Sequence, residues 1–320
     1  MTCGSVSLNL PLPHDKGSSD VQARELSALR CALRALRVGR VTVALQALQS
    51  VSDASSTQSA EIAFLFEQIR RLGAAHIEHV NDFATEDHCS WRAENSGDIS
   101  YSYLVSDGAF RVVAQADCEL DTLRAIAGLL EFDLWKEYKP KIVSSEVLGE
   151  HDPVETLWRI RQTSSLTGSK NDNIVGVSFT DALDEPIASL CVCLYAPEGA
   201  DGSKPLRGMT IPPAEPGWIR ETNWRTSFFF SPNSKGNPGS RMRVANCAEL
   251  TSAMFTMLYW MPPMAKRKFI NDYVNKTVQG FLDHVKSCQM LTQRIEESHR
   301  SKFYEEVGVR LALFDCIDES

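Results

Sequence analysis

The residues able to carry covalent or acid–base chemistry are few, and their spacing suits it poorly. His284 and Cys288 stand four apart on a long helical pattern, so they share a face, as a thiol nucleophile and its base would need. A nucleophilic thiol requires an electropositive, partly exposed setting. Cys288 instead continues an apolar stripe, which makes core packing the expectation for both. Cys191 and Cys193 are two apart on a predicted strand and point to one face, so they form no CxxC redox pair and read as small apolar fillers. Zinc would have to use His76, His79, His88 and Cys89, but the side chains of adjacent residues diverge where a paired cluster is needed. P-loop, G-x-G-x-x-G, G-x-S-x-G and H-E-x-x-H patterns are absent. The expectation is a protein with no catalytic residue, no metal and no cofactor. His284 is the nearest acid–base candidate if the chain were an enzyme.

What the sequence does concentrate is large, adaptable apolar groups. Met254, Met257, Met261 and Met264 fall within eleven residues, interleaved with Phe255, Leu258, Tyr259 and Trp260. Methionine is flexible and polarizable and suits a surface that accommodates variable apolar shapes. Strand candidates add Trp158, Trp218, Trp224 and the run Phe228 to Phe230. Plain core is the simplest explanation. The sharper one is an apolar pocket between a sheet and a long helix, walled by Trp158, Ile160, Trp218, Trp224, Phe229, Met254, Met257, Phe281 and Val285. Arg220 is the polar contact expected there, with Arg159 and Arg161 as lesser candidates. Lys266, Arg267 and Lys268 sit in the first turn of the last helix, where the macrodipole disfavours cations. Next to Trp260, Met261 and Met264 they suit an anionic membrane surface, each cation contributing roughly 1 kcal/mol there.

Residues 1–19 read as a flexible tail and 20–85 as an N-terminal helical hairpin. Leu26, Leu29, Leu33 and Leu36 recur at helical spacing, with a break expected near Gly39, and a second helix is predicted from Ala60 to Ala75. Arg30, Arg34 and Arg37 lie along one side of the first helix and offer a place for a protein partner. After Trp91 the period falls to two. Ile99 to Val105 and Phe110 to Ala116 alternate about Asp107-Gly108, a strong hairpin signal. Asp121 is the expected cap of a short helix. Strands are then predicted at 142–148, 155–163, 174–180, 187–196, 206–211, 218–223, 226–231 and 241–248. Pro262-Pro263 opens a helix striped by Ile270, Val274, Val278, Phe281, Val285 and Cys288. Continuous to Ser298, it would be about 50 Å long. Residues 299–320 read as a C-terminal tail.

With 320 residues, 43% hydrophobic and 23% charged, the chain can bury a core without disulfides or metal. Its formal charge of -8 argues against nucleic acid as a main partner. No secretory signal or membrane-spanning run is read, so a cytoplasmic address with peripheral membrane contact is expected.

The order of these elements resembles the START domains, the steroidogenic acute regulatory protein-related lipid-transfer family. Phe132-Asp133-Leu134-Trp135 through Pro140, followed by Val143-Ser144-Ser145-Glu146-Val147-Leu148, is similar to that family's helix-to-strand passage. Phe179-Thr180-Asp181-Ala182-Leu183-Asp184-Glu185 resembles its strand–turn, Pro216-Gly217-Trp218 the start of a strand, and Met261-Pro262-Pro263 the opening of its closing helix. The family's acidic residue and glycine after the last strand are matched only by Glu249. The resemblance implies an α+β helix-grip fold over residues 86–298, a curved antiparallel sheet wrapped on a long C-terminal helix. It further implies one lipid or sterol bound in an apolar tunnel, a transient membrane surface as partner, and no covalent chemistry. An interaction module using the N-terminal helices, and an enzyme acting on an apolar substrate, are the alternatives.

Overall fold

A computed structural model describes residues 19–49, 67, 69–74, 92–139, 141–152, 154–163, 168–206, 208–233, 239–249 and 257–317. The zinc candidates and Met254 lie outside them. So do the predicted loop after Gln49 and most of the predicted second helix, of which residues 69–74 form α3.

Nine strands build one antiparallel sheet, in the order β1-β2-β3-β9-β8-β7-β6-β5-β4. They are β1 (Arg92–Ser96), β2 (Ile99–Ser106), β3 (Ala109–Cys118), β4 (Ile142–Asp152), β5 (Glu155–Thr163), β6 (Lys170–Ala182), β7 (Ser189–Tyr195), β8 (Trp224–Pro232) and β9 (Ser240–Glu249). The predicted β2–β3 hairpin forms about Asp107 and Gly108, both with positive φ, as a two-residue turn of right-twisting strands requires. Three register shifts interrupt the edge strand β4 and blunt it against pairing with another chain.

The helices are α1 (Ser19–Arg37), α2 (Val41–Gln49), α3, α4 (Thr122–Leu130), α5 (Trp135–Tyr138), α6 (residues 257–260), α7 (Pro263–Ser287), α8 (Met290–Glu297) and α9 (Ser301–Ile317). The expected break at Gly39 separates α1 from α2, which pack on each other and bury Leu36, Val41 and Leu48. The pair docks on the β6–β7 turn through Asp181 N to Gly39 O and through Arg40 to Asp184, at 2.6 Å. Asp121 caps α4 as expected, its carboxylate accepting from Leu123 N.

Strand parity decides what each face buries. Val175, Val177, Phe179, Val192, Phe228, Phe230, Met242 and Val244 share the inner face and its core with the α7 stripe of Ile270, Val274, Val278, Phe281 and Val285. Phe179 there meets Phe303 of α9 at 5.1 Å between ring centroids. Phe228 and Phe281 meet at 5.6 Å between ring centroids, and Phe110 meets Tyr273 at 5.5 Å. This is the expected α+β arrangement of an antiparallel sheet closed by a long late helix.

Three expectations need correction. The long helix stops at Ser287, giving α7 a length of about 37 Å, and the chain turns back as α8. Arg124 of α4 caps the stop: its Nε donates to Val285 O at 2.9 Å and its Nη2 to Cys288 O at 2.6 Å, capturing helix-terminal carbonyls. The stretch expected as a tail holds α9, which buries Phe303, Tyr304 and Val307 in the main core. The strands predicted at 206–211 and 218–223 are isolated bridges within the β7–β8 connection. There Leu206 and Ile211 pack on Leu157 and Ile174 of the outer sheet face, so apolar alternation served a loop rather than a strand.

Candidate functional site

Trp158, Ile160, Phe281 and Val285 are all buried in the main core and Trp224 packs at its border. Trp158 meets Phe132, which precedes α5, at 5.9 Å between ring centroids, whereas Phe281 and Val285 belong to α7. Parity explains the grouping, since Trp158 and Ile160 share the inward set of β5 and Trp224 that of β8. Other predicted wall residues lie elsewhere. Phe229 points away from α7 and is buried with Val113, Cys191 and Ala245 on the outer face, because it alternates with Phe228 and Phe230. Arg220 donates to Asp172 Oδ2 at 2.9 Å and to the carbonyls of Asp172 and Pro212, both at 2.8 Å. Arg159 completes the triad with two 2.8 Å bonds to the same carboxylate. Burial alone would raise the Asp172 carboxyl, yet the two guanidinium groups hold it below the usual range. This triad staples the β7–β8 connection to the outer face. Trp218 is half-buried in that connection, with Lys170 Nζ 5.8 Å from its ring centroid.

At the N-terminal end of α7 the expected membrane-contact residues lie beside Tyr259 and Met257, the latter expected as a pocket wall and here exposed. Met264 is 87% exposed, Trp260 76%, Tyr259 57% and Met257 44%, an apolar patch that continues from α6 into the first turn of α7. Met261 and Lys266 are half-buried, while Arg267 and Lys268 are exposed. Arg267 pairs with Glu94 of β1 at 2.7 Å, which fixes the helix start against the sheet edge and offsets one of the three cations.

The opposite end of α7 holds the candidates for acid–base chemistry. His284 and Cys288 are both buried, and the Cys288 thiol donates to Glu137 Oε2 at 3.6 Å. Burial pushes the thiol up, and the neighbouring carboxylate pushes it further, so the thiolate a nucleophile needs is disfavoured. Burial lowers His284, with Glu137 opposing and Lys139 and Arg124 adding to the shift. Lys139, stacked 4.3 Å above the Trp135 ring, is brought down to about 8 by burial. The described residues contain no cluster of three or more metal-ligating side chains.

Sequence reasoning passed over two polar residues on the α7 side of the sheet, Thr226 and Asn246. Their signal was parity: Asn246 continues the inward set Met242 and Val244, and Thr226 precedes Phe228 and Phe230 on theirs. Two surface grooves also emerge. One, of about 570 Å³, is lined by Ser27, Arg30, Cys31, Arg34, Val38 and Arg40 on the α1–α2 pair. The other, of about 580 Å³, runs between α4, α8 and α9 past Leu123, Ile295 and Tyr304. Among the described residues, no helix is long and apolar enough to cross a membrane.

No family model and no curated protein matches the chain. Its structure is similar to human StAR-related lipid transfer protein 5, at 14% identity and a TM-score of 0.49, over 68% of this chain and 96% of that one. Human STARD10 is similar at 12% identity and a TM-score of 0.49, over 70% and 83% of the two chains. The lipid transfer and protein localization domain of human StarD13 is similar at 15% identity and a TM-score of 0.44, over 65% and 94%. At such identities, what the site does has to be argued from its own side chains.

Proposed function

We propose that this protein binds one lipid or sterol between the α7-facing side of its sheet and α7, and collects it at a membrane surface without covalent chemistry. The observation that carries the reading is the apolar patch of Met257, Tyr259, Trp260 and Met264 at the start of the helix that closes that face. Exposed apolar side chains of this size are rarely left in water without a use. Aromatic and basic groups side by side, here Tyr259 and Trp260 with Lys266 and Lys268, fit the headgroup layer of an anionic bilayer. Such a surface lies next to the first turn of α7, where a ligand could pass from the bilayer onto the apolar sheet face. The protonated thiol of Cys288 and the buried setting of His284 favour binding over catalysis.

A second reading rests on the α1–α2 groove, where Arg30 and Arg34 are exposed and the cavity could take an acidic segment of a protein partner. One experiment addresses both. The purified chain is incubated with vesicles of phosphatidylcholine, phosphatidylserine and cholesterol, re-isolated, and weighed by native mass spectrometry. One lipid per chain is expected, together with loss of vesicle association in Trp260→Asp/Met264→Asp. Absence of any lipid adduct on the unmutated chain would overturn the carrier reading and leave the groove reading in its place.

A further inference from the structure

The strand register draws two neighbouring rows across the α7-facing side of the sheet. One row runs Trp158, Val175, Trp224 and Ala248, with β7 joining through the bond from Ala196 N to Trp224 O. The next runs Thr156, Val177, Leu194, Thr226 and Asn246. Trp224 opposes Ala248 and Thr226 opposes Asn246, so Trp224 and Asn246 are diagonal neighbours on adjacent strands, within reach of one small group.

The hydrogen bonding in these rows is incomplete in a particular way. Asn246 Nδ2 donates to Thr226 Oγ1 at 2.6 Å, which leaves Asn246 Oδ1 as a buried acceptor with no donor. The indole Nε1 of Trp224 is a buried donor with no acceptor, and so is that of Trp158, in the same row but three strands away on β5. Buried polar atoms in folded proteins are nearly always paired, so a donor and an acceptor left open on diagonally neighbouring residues call for a group that can satisfy both. A hydroxyl does so with one oxygen.

Charge narrows the class. Burial raises Tyr273 to about 12, so its hydroxyl is neutral, and the carboxylate acting on it is Glu221. Arg300 reaches the second row at Thr156. It is already engaged by Leu130 O at 3.0 Å, by Thr156 Oγ1 and by the Glu131 carboxylate at 3.8 Å. Arg300, so engaged, has little charge left to offer a phosphate or carboxylate headgroup, which favours a neutral ligand.

We propose that Trp224 and Asn246 form the polar end of the lipid site and select a neutral lipid ending in a hydroxyl. The hydroxyl oxygen accepts from Trp224 Nε1, and its proton is donated to Asn246 Oδ1. This rests on the lipid-binding reading and adds the ligand class to it.

The test uses two fluorescent pairs: dehydroergosterol with its methyl ether, and a pyrene-tagged long-chain alcohol with its methyl ether. An ether keeps the acceptor oxygen and loses the proton. The unmutated chain should bind at least one alcohol ~tenfold or more tightly than its ether, as a site built to receive a hydroxyl proton does. Asn246→Leu should weaken the alcohol alone and erase the preference, whereas Trp224→Phe should weaken alcohol and ether together. Equal affinity for alcohol and ether in the unmutated chain, or a preference that survives Asn246→Leu, would overturn the assignment and mean that water alone satisfies these atoms. If Asn246→Leu does not fold, the unmutated preference and the Trp224→Phe pair decide. Uptake of a phospholipid but of none of the four probes would sink the hydroxyl assignment and spare the carrier reading. Failure to take up any lipid at all would end both.

Discussion

The two ends of α7 are built on opposite principles. At the C-terminal end, Arg124 holds the last carbonyls and His284 and Cys288 are buried. Gly128 of α4 comes so close that an added Cβ would lie 2.6 Å from the Val285 side chain. Behind it, Arg300, Glu131 and Tyr304 form a buried network, with the Tyr304 hydroxyl donating to Glu131 at 2.6 Å. At the N-terminal end, Met264 and Trp260 stand in solvent, while Arg267 pairs with Glu94 and, further along, Asn275 bonds Ser96 at 2.7 Å. The last turn of α7 buries His284 and Val285, whereas α6 and the first turn of α7 present large apolar side chains to solvent. The difference therefore separates residues kept for stability from residues available for a surface.

The contrast can be broken most sharply at Arg300. Arg300→Met leaves the Glu131 carboxylate buried beside an apolar side chain and should cost about 3–5 kcal/mol in denaturant unfolding. A loss under 1 kcal/mol would show that the anchored end is not anchored by this network. A smaller effect is expected from pH. His284 has a folded value below its ordinary 6.5, so its contribution is complete above that value. Stability should fall as pH drops from 6.5 through the lower folded value, where the unfolded chain binds the extra proton. His284→Leu should flatten that part of the stability curve, and an unchanged slope would place the titration elsewhere. The smallest effect belongs to the exposed end. Trp260→Ser with Met264→Ser should leave unfolding free energy within about 0.5 kcal/mol, as for surface sites without structural partners. A loss of 2 kcal/mol or more, in order-of-magnitude terms, would mean that the patch is part of the core.

Much of this architecture was legible without coordinates, and for definite reasons. Alternation about Asp107-Gly108 can be satisfied only by a hairpin, and it is one. Asp121 precedes its helix by the one position from which a carboxylate reaches Leu123 N. The α7 stripe at three- and four-residue spacing is buried as read. Site residues were harder, because one face of a strand differs from the other by a single residue. Phe229 went to the outer face and Phe228 and Phe230 to the inner, a choice that composition does not encode.

The sequence by itself determined the local periods, the caps and turns, the antiparallel run of strands and the closing helix, because these depend on neighbours within a few residues. Only the tertiary structure decided where α7 ends, since no glycine or proline stops it at Ser287 and its last carbonyls are capped by Arg124, more than 160 residues away in sequence. It likewise turned the stretch after Ser298 into a core helix and an alternating loop into a cover for the outer face. The pairing of Trp224 with Asn246 has the same origin. Their adjacency is a matter of strand register, and register is set by the packing of the whole sheet rather than by either strand alone.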